Sequence, residues 1–350
     1  MRPTVILKNY KHIPGGSCIA TALSGIYRYS GFNLSEQAII GIGSGIFFGY
    51  IVDMQTKKWR VELLSSQLID SLVSHTGAFY NKFQPSCSEL AIETVLKCIN
   101  NGNPIAVIIN PRYSTSLSRL SPQHHFMHFP LHMIVVYGYC KVKKEIYYYD
   151  TSEFKSYQIN FSQFIRSRQG GNPDPMNTFY VFQLPQTIFP IEVSAKLALS
   201  QTVHFYKYSN NNLGLKVGVH AMERFVRQIR NWNNNFKDED IADNALRFLI
   251  SITFGGGVKD AFRNHYALFI RELSQHFGNN HLAEVASLFN RSSREWVRVR
   301  EILASISQNP RDRLLLEGES PLFESLNAIH RFEKDSMDLI EYVLNSKALN

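Results

Sequence analysis

The chain has 350 residues, 44% hydrophobic and 19% charged, an ordinary globular composition long enough for two domains of common size. Its longest apolar runs, such as Met133 to Val136, fall far short of the roughly 20 residues a bilayer span needs, which excludes a transmembrane helix. A formal charge of +8 suits an acidic partner, but the basic residues are scattered, with local groups at Lys141-Val142-Lys143-Lys144 and from Arg224 to Arg230. There is no basic tail and no nucleic-acid motif, so a solvated basic surface is the plainest reading.

The first residues lack the apolar core and cleavage site of a signal peptide, so a cytoplasmic location is the expectation. Cys18, Cys87, Cys98 and Cys140 have neither paired metal spacing nor the density of a disulfide scaffold and are expected as reduced thiols. In chain order, Ile19, Ala22, Leu23, Ile26 and Tyr27 recur at helical spacing and predict a helix from about 18 to 30, with Gly31 as its stop. Asn33 to Gln37 reads as a second helix start, followed by a flexible glycine turn, Gly41-Ile42-Gly43-Ser44-Gly45-Ile46. Residues 88 to 100 read as a helix and Ile105 to Ile109 as a buried strand. After a polar loop holding Tyr113 to Gln123, strands are predicted at His132 to Tyr139, Ile146 to Tyr149 and Tyr180 to Phe182, together an antiparallel sheet. Pro185 and Pro190 punctuate a boundary near 186 to 200. Beyond it, Ala221 to Trp232, Ile241 to Thr253, Lys259 to Phe277, Leu282 to Ile306 and Ser320 to Leu344 carry apolar residues at helical spacing, with Gly255-Gly256-Gly257 as a break.

A thiolate, not a thiol, attacks carbonyl carbon, and a free cysteine of pKa about 8.5 needs a helix N-terminus or an imidazolium to ionise at neutral pH. Cys18 heads a predicted helix, and the amides of Gly15-Gly16-Ser17 could bind an oxyanion there. Alone, such a cysteine is more often a structural thiol. His132 opens one strand and Asp150 closes the next, so adjacent antiparallel strands could join imidazole and carboxylate, the histidine moving the thiol proton and the carboxylate fixing its tautomer. His124, His125, His128 and His132 suggest a metal site if helical. Pro130 argues against that helix and no Cys or Glu completes the set, so no metal is expected and the first three are read as loop residues. Cys87, Cys98 and Cys140 read as buried thiols.

Cysteine, then histidine on a strand, then aspartate after the next strand is also the chain order of papain-like and bacteriocin-leader peptidases. Cys18 to Leu23, Leu34-Ser35-Glu36 and Gly41 to Ile46 with Phe48 and Tyr50 resemble the N-terminal domain of the butirosin biosynthesis protein H family. Gly256-Gly257 with Phe262-Arg263, Tyr266, Phe269, Glu272 and Trp296 resembles the helical domain of unknown function that accompanies it. The resemblance implies an α+β fold: a papain-like, cysteine-peptidase-type domain over 1–190, its Cys-bearing helix packed on an antiparallel sheet, then an all-helical domain over 200–350. It also implies an acyltransferase of natural-product biosynthesis. An acyl group would pass from an acidic acyl carrier protein, whose phosphopantetheine thioester is the donor, through Cys18 to an amine or hydroxyl acceptor. No tightly bound cofactor, nucleic acid or membrane is called for, and a homodimer is left open.

Cys18, His132 and Asp150 are then the catalytic set. His12, six residues before Cys18, stands where leader peptidases carry an oxyanion glutamine. Ser17 replaces the histidine that precedes the cysteine in relatives, and with Gly43, Gly45 and Tyr113 it is a candidate for oxyanion or substrate contact. The glycine run lacks the Lys-Ser/Thr ending of a phosphate loop and reads either as a tight turn or as a wall of the active-site cleft. A cysteine peptidase or amidase, or a binding protein without turnover, are the alternatives.

Overall fold

The computed structural model describes residues 2–53, 58–110, 132–168, 177–209, 216–253, 258–309, 312, 315–318 and 320–346. Along the chain run β1 (Thr4–Ile6), α1 (Cys18–Tyr29), α2 (Glu36–Ile42), β2 (Ile46–Asp53), β3 (Lys58–Leu64), α3 (Leu68–Thr76), β4 (Phe79–Phe83), α4 (Ser88–Asn100) and β5 (Ile105–Ile109). Next come β6 (His132–Cys140), β7 (Glu145–Tyr149), β8 (Ser156–Asn160), α5 (Phe161–Arg168), β9 (Phe179–Gln183), α6 (Ile191–Val203) and β10 (Lys216–Val217). Last are α7 (Gly218–Ile229), α8 (Trp232–Asn235), α9 (Asp238–Thr253), α10 (Arg263–Phe277), α11 (Asn280–Gln308) and α12 (Pro321–Asn345). The chain is α+β, sheet-rich in its first half and helical in its second. None of the described helices is long and apolar enough to cross a membrane.

Contacts divide the chain into two compact units, residues 1–39 with 77–188, and residues 40–76 with 189–350. The crossing at 188/189 lies where Pro185 and Pro190 punctuate the sequence. Residues 40–76 instead pack with the helices of the second unit, so the division is not the single cut near 190 expected from composition. The cause is burial: Phe48, Tyr50, Trp59, Val61 and Leu63 of β2 and β3 share one core with Phe225, Trp232, Phe248 and Trp296.

In the first unit, antiparallel strands run in the order β4-β9-β5-β6-β7-β8, and β1 pairs with the end of β6. Met133 to Val136 are all buried, as expected of an internal strand covered on both faces. Ile109 pairs with His132 at one end of β6, and Cys140 pairs with Glu145 at the other. Helix α1 starts on the Ser17 N-cap and buries Ala20, Ala22, Leu23, Ile26 and Tyr27, and the chain turns away at Gly31, at φ +94°.

In the second unit, β10, β2 and β3 form a small sheet among the helices. The expected glycine turn is partly helical: Gly41 lies in α2, where a Cβ would stand 2.1 Å from the Phe269 ring. The turn proper holds Ser44 at φ +47°, its hydroxyl donating to the Ala198 carbonyl at 3.0 Å. Gly255-Gly256-Gly257 lies outside the described residues.

A buried ion pair ties this unit together. The Arg263 guanidinium donates to both Glu333 carboxylate oxygens and to the Leu63, Phe47 and Ala261 carbonyls, while Trp296 Nε1 and Ser292 Oγ also donate to Glu333. Burial alone would raise the Glu333 carboxyl; Arg263 and these donors hold it below its ordinary value. Removing one partner strands the other charge in the core. Arg263→Met is therefore expected to cost about 3 to 5 kcal/mol. The measurement is denaturant unfolding followed by tryptophan fluorescence, which reads this unit alone because all three tryptophans, Trp59, Trp232 and Trp296, lie in it.

Candidate active site

Three side chains meet in the first unit: Cys18 from the head of α1, His132 from the start of β6, and Asp150 just after β7. The strand pairing that sets Val135 opposite Tyr149 carries His132 and Asp150 to the same end of the β6–β7 hairpin. His132 Nε2 lies 2.5 Å from Asp150 Oδ1, and the carboxylate is 3% exposed. The Thr151 N–H donates to the same oxygen at 2.6 Å, which fixes the carboxylate against its own backbone. With Nε2 so engaged, Nδ1 is the ring nitrogen left for the Cys18 sulfur.

The electrostatics follow from this contact. Burial pushes the Cys18 thiol up, but the hydrogen bond and positive charge of His132, with the Met133 N–H, bring it below its ordinary value. Burial pulls His132 down, but the charge and hydrogen bond of Asp150, and Cys18 itself, raise it well above the ordinary imidazole value. Both shifts favour a thiolate facing an imidazolium at neutral pH, the state that makes a cysteine nucleophilic.

The approach to Cys18 is held by Glu36, at the first position of α2. Its carboxylate accepts from the Gly16 N–H at 3.0 Å to each oxygen, from the Ser17 N–H at 2.6 Å and from the Thr21 hydroxyl at 3.3 Å. Gly15 is required here, since a Cβ would stand 2.3 Å from Thr21 Oγ1 and 2.5 Å from Glu36 Oε2. The Gly15 N–H donates to the Thr151 carbonyl at 2.9 Å, joining the loop before the cysteine to the residue after the aspartate. The amides of Gly15, Gly16 and Ser17, expected to serve an oxyanion, are thus engaged elsewhere. Among the described residues the Cys18 and Ile19 N–H groups, at the head of the helix, have no acceptor.

Ser17 is buried, and its hydroxyl caps the helix by accepting from the Ala20 N–H at 3.2 Å. His12 stacks on Tyr149 with ring centroids 5.0 Å apart, beside the carboxylate. Neither of its ring nitrogens reaches hydrogen-bonding geometry. Burial lowers its pKa, while the Thr151 and Asp150 backbone and the Asp150 charge pull the other way. Gly43 and Gly45 belong to the second unit, where the Gly45 N–H closes a turn on the Ile40 carbonyl at 2.8 Å and a Cβ would meet that carbonyl at 2.9 Å. Tyr113, His124, His125 and His128 lie outside the described residues. Cys87, Cys98 and Cys140 are free thiols, and no group of three or more His, Cys, Asp or Glu among the described residues could hold a metal ion. Glu36 is the site residue that sequence reasoning did not single out: its capping-type setting signals a helix start, not a contact 20 residues back.

Residues 17–151 match a family described as butirosin biosynthesis protein H, N-terminal, and residues 165–340 match a domain of unknown function, DUF4872. The chain belongs to the butirosin biosynthesis protein H-like family. The N-terminal match begins one residue before Cys18 and ends one residue after Asp150, so it contains all three clustered side chains. None of the curated proteins matches this chain.

Asp150→Asn preserves shape but removes the charge that raises His132. Iodoacetamide alkylation of Cys18 near neutral pH is expected to slow by about tenfold or more, one pKa unit being a tenfold change in thiolate fraction at the acid end. Peptide mass mapping reads this directly, with Cys87, Cys98 and Cys140 as internal references.

Proposed function

We propose that this chain is a biosynthetic acyltransferase of secondary metabolism, with a papain-like first unit and Cys18 as nucleophile. The observation that carries the reading is the Cys18–His132–Asp150 contact at the head of a helix, within a family named for a butirosin biosynthesis protein. The donor is an acyl thioester on the phosphopantetheine of an acyl carrier protein, and the acceptor is an amine or hydroxyl of a small molecule. No tightly bound cofactor of the chain's own takes part.

In the first half-reaction the Cys18 thiolate adds to the thioester carbonyl. The developing oxyanion lies against the helix-head amides of Cys18 and Ile19, the donors left without an acceptor. Collapse breaks the carbon–sulfur bond to the pantetheine, whose sulfur takes the proton from His132 Nδ1, leaving acyl-Cys18 and neutral imidazole. In the second, the acceptor attacks acyl-Cys18 while His132 removes its proton, and the cysteine leaves as thiolate facing a restored imidazolium. Asp150 keeps Nε2 engaged throughout and so holds Nδ1 toward the reacting atoms. Exchange between thioesters is nearly isoenergetic, and transfer to an amine is downhill, so no other energy source is needed.

The test is incubation with carrier proteins bearing a range of acyl chains, followed by intact-mass measurement. A mass gain equal to the acyl group, absent in Cys18→Ala and discharged on adding an amine acceptor, is expected. No adduct with any chain would overturn the transferase reading. An adduct discharged only by water would make the chain a hydrolase.

A further inference from the structure

The net charge is not spread evenly. Residues 1–39 and 77–188 carry 14 Lys and Arg against 7 Asp and Glu, whereas residues 40–76 and 189–350 carry 23 against 22. Nearly all the excess therefore belongs to the unit that holds Cys18. Several cations of the second unit are also held in ion pairs, as with Lys207, Arg227, Arg247, Arg263, Arg298 and Lys334. In the first unit Arg2, Lys97, Lys141, Lys143 and Lys144 make no ion pair among the described residues.

Lys8, Lys11, Lys82 and Arg166 make none among the described residues either, but the first five lie at one edge. The β6–β7 turn is Lys141-Val142-Lys143-Lys144, closed by the Lys144 N–H on the Lys141 carbonyl at 3.2 Å. The Lys141 N–H donates to the Pro3 carbonyl at 2.8 Å, setting Arg2 beside the turn, and the Arg2 N–H points to Asn100 Oδ1 at the end of the helix that carries Lys97. Val142 stands 80% exposed between the lysines. Lys144 adopts φ +55°, a left-handed conformation that costs a lysine about 1 kcal/mol and suits Gly or Asn. The turn thus carries a cation where its backbone favours an uncharged residue.

We infer that this edge is the docking surface for the acidic carrier protein, an inference that rests on the transferase reading above. Unpaired cations around one exposed apolar side chain match an acidic helical surface with an apolar spot; a phosphate backbone would leave Val142 without a role, and an anionic bilayer is an outcome that the test below separates. The location suits delivery. At about 3.3 Å per residue, the eight steps from Cys140 to His132 place the turn about 26 Å from the reacting end of the hairpin, so the carrier's body rests on the turn while its arm starts part-way toward His132. An open groove of about 720 Å³ on this sheet is lined by Ile6, Tyr137, Tyr147, Lys155, Tyr157 and Gln158. Tyr137 packs on Tyr149 at 4.7 Å on the same hairpin.

The experiment compares wild type, Lys143→Glu/Lys144→Glu and Lys144→Asn in two assays: binding of holo-carrier protein at low salt, and Cys18 acylation from acyl-carrier protein or from the same acyl group on free pantetheine. The double reversal is expected to weaken carrier binding and carrier-dependent acylation by about tenfold or more, with the free thioester reacting within about twofold of wild type. Lys144→Asn should weaken binding with an unchanged or higher Tm, which separates the effect from misfolding. Unchanged carrier binding in both variants would overturn the inference. So would equal losses with the free thioester, or tighter wild-type binding to duplex DNA or phosphatidylglycerol vesicles than to carrier protein. Carrier binding that depends on the lysines without any acylation of Cys18 would leave the docking surface standing and remove the transferase reading.

Discussion

The site depends on one buried contact, the 2.5 Å approach of His132 Nε2 to Asp150 Oδ1. Partial burial alone would favour the neutral imidazole, since desolvation disfavours the charged form. The carboxylate reverses that balance and also fixes which ring nitrogen is engaged. Everything attributed to Cys18 follows from those two effects: its sulfur has a positively charged partner, and that partner presents a defined atom. The sheet makes the contact affordable, because the two strands that carry the groups are neighbours and their register brings His132 and Asp150 to one end.

A second constraint acts on the cysteine itself. Glu36 takes the amides of Gly16 and Ser17, and Thr151 takes that of Gly15, so the loop before the helix is pinned by a carboxylate on one side and by the residue after Asp150 on the other. Loop, helix head and catalytic carboxylate are therefore one hydrogen-bonded assembly. Its cost is a loop with no room for a side chain at residue 15. Its product is a helix terminus with few amides free to face a reacting oxyanion.

Much of this was readable from sequence, and the reasons differ from element to element. Helix α1, strands β5 to β7 and the long helices α9 to α12 announce themselves because burial on one face, or on both, imposes a period. Strand β4 does not: Phe79 is 71% exposed and its neighbours are mostly exposed too, so no alternation marks it. The membership of residues 40–76 was hidden because Phe48, Tyr50, Trp59, Val61 and Leu63 of β2 and β3 would suit any core, and only tertiary contact says which one they join. Gly41 looked like part of a flexible turn, whereas the close approach of Phe269 is what demands a glycine inside a helix. The Cys18, His132 and Asp150 set was legible from chain order; Glu36 was not, because a carboxylate that reaches back to amides 20 residues earlier leaves no spacing to read.

The central claim is that Cys18 is a thiolate held by His132 and Asp150. The most direct measurement is the ultraviolet thiolate absorbance of the wild type minus that of Cys18→Ser, followed across pH. The account predicts that the difference persists well below the free-thiol value of about 8.5, and that His132→Ala moves its midpoint back up toward that value. A difference that disappears with a midpoint at or above about 8.5 in the wild type would contradict the account.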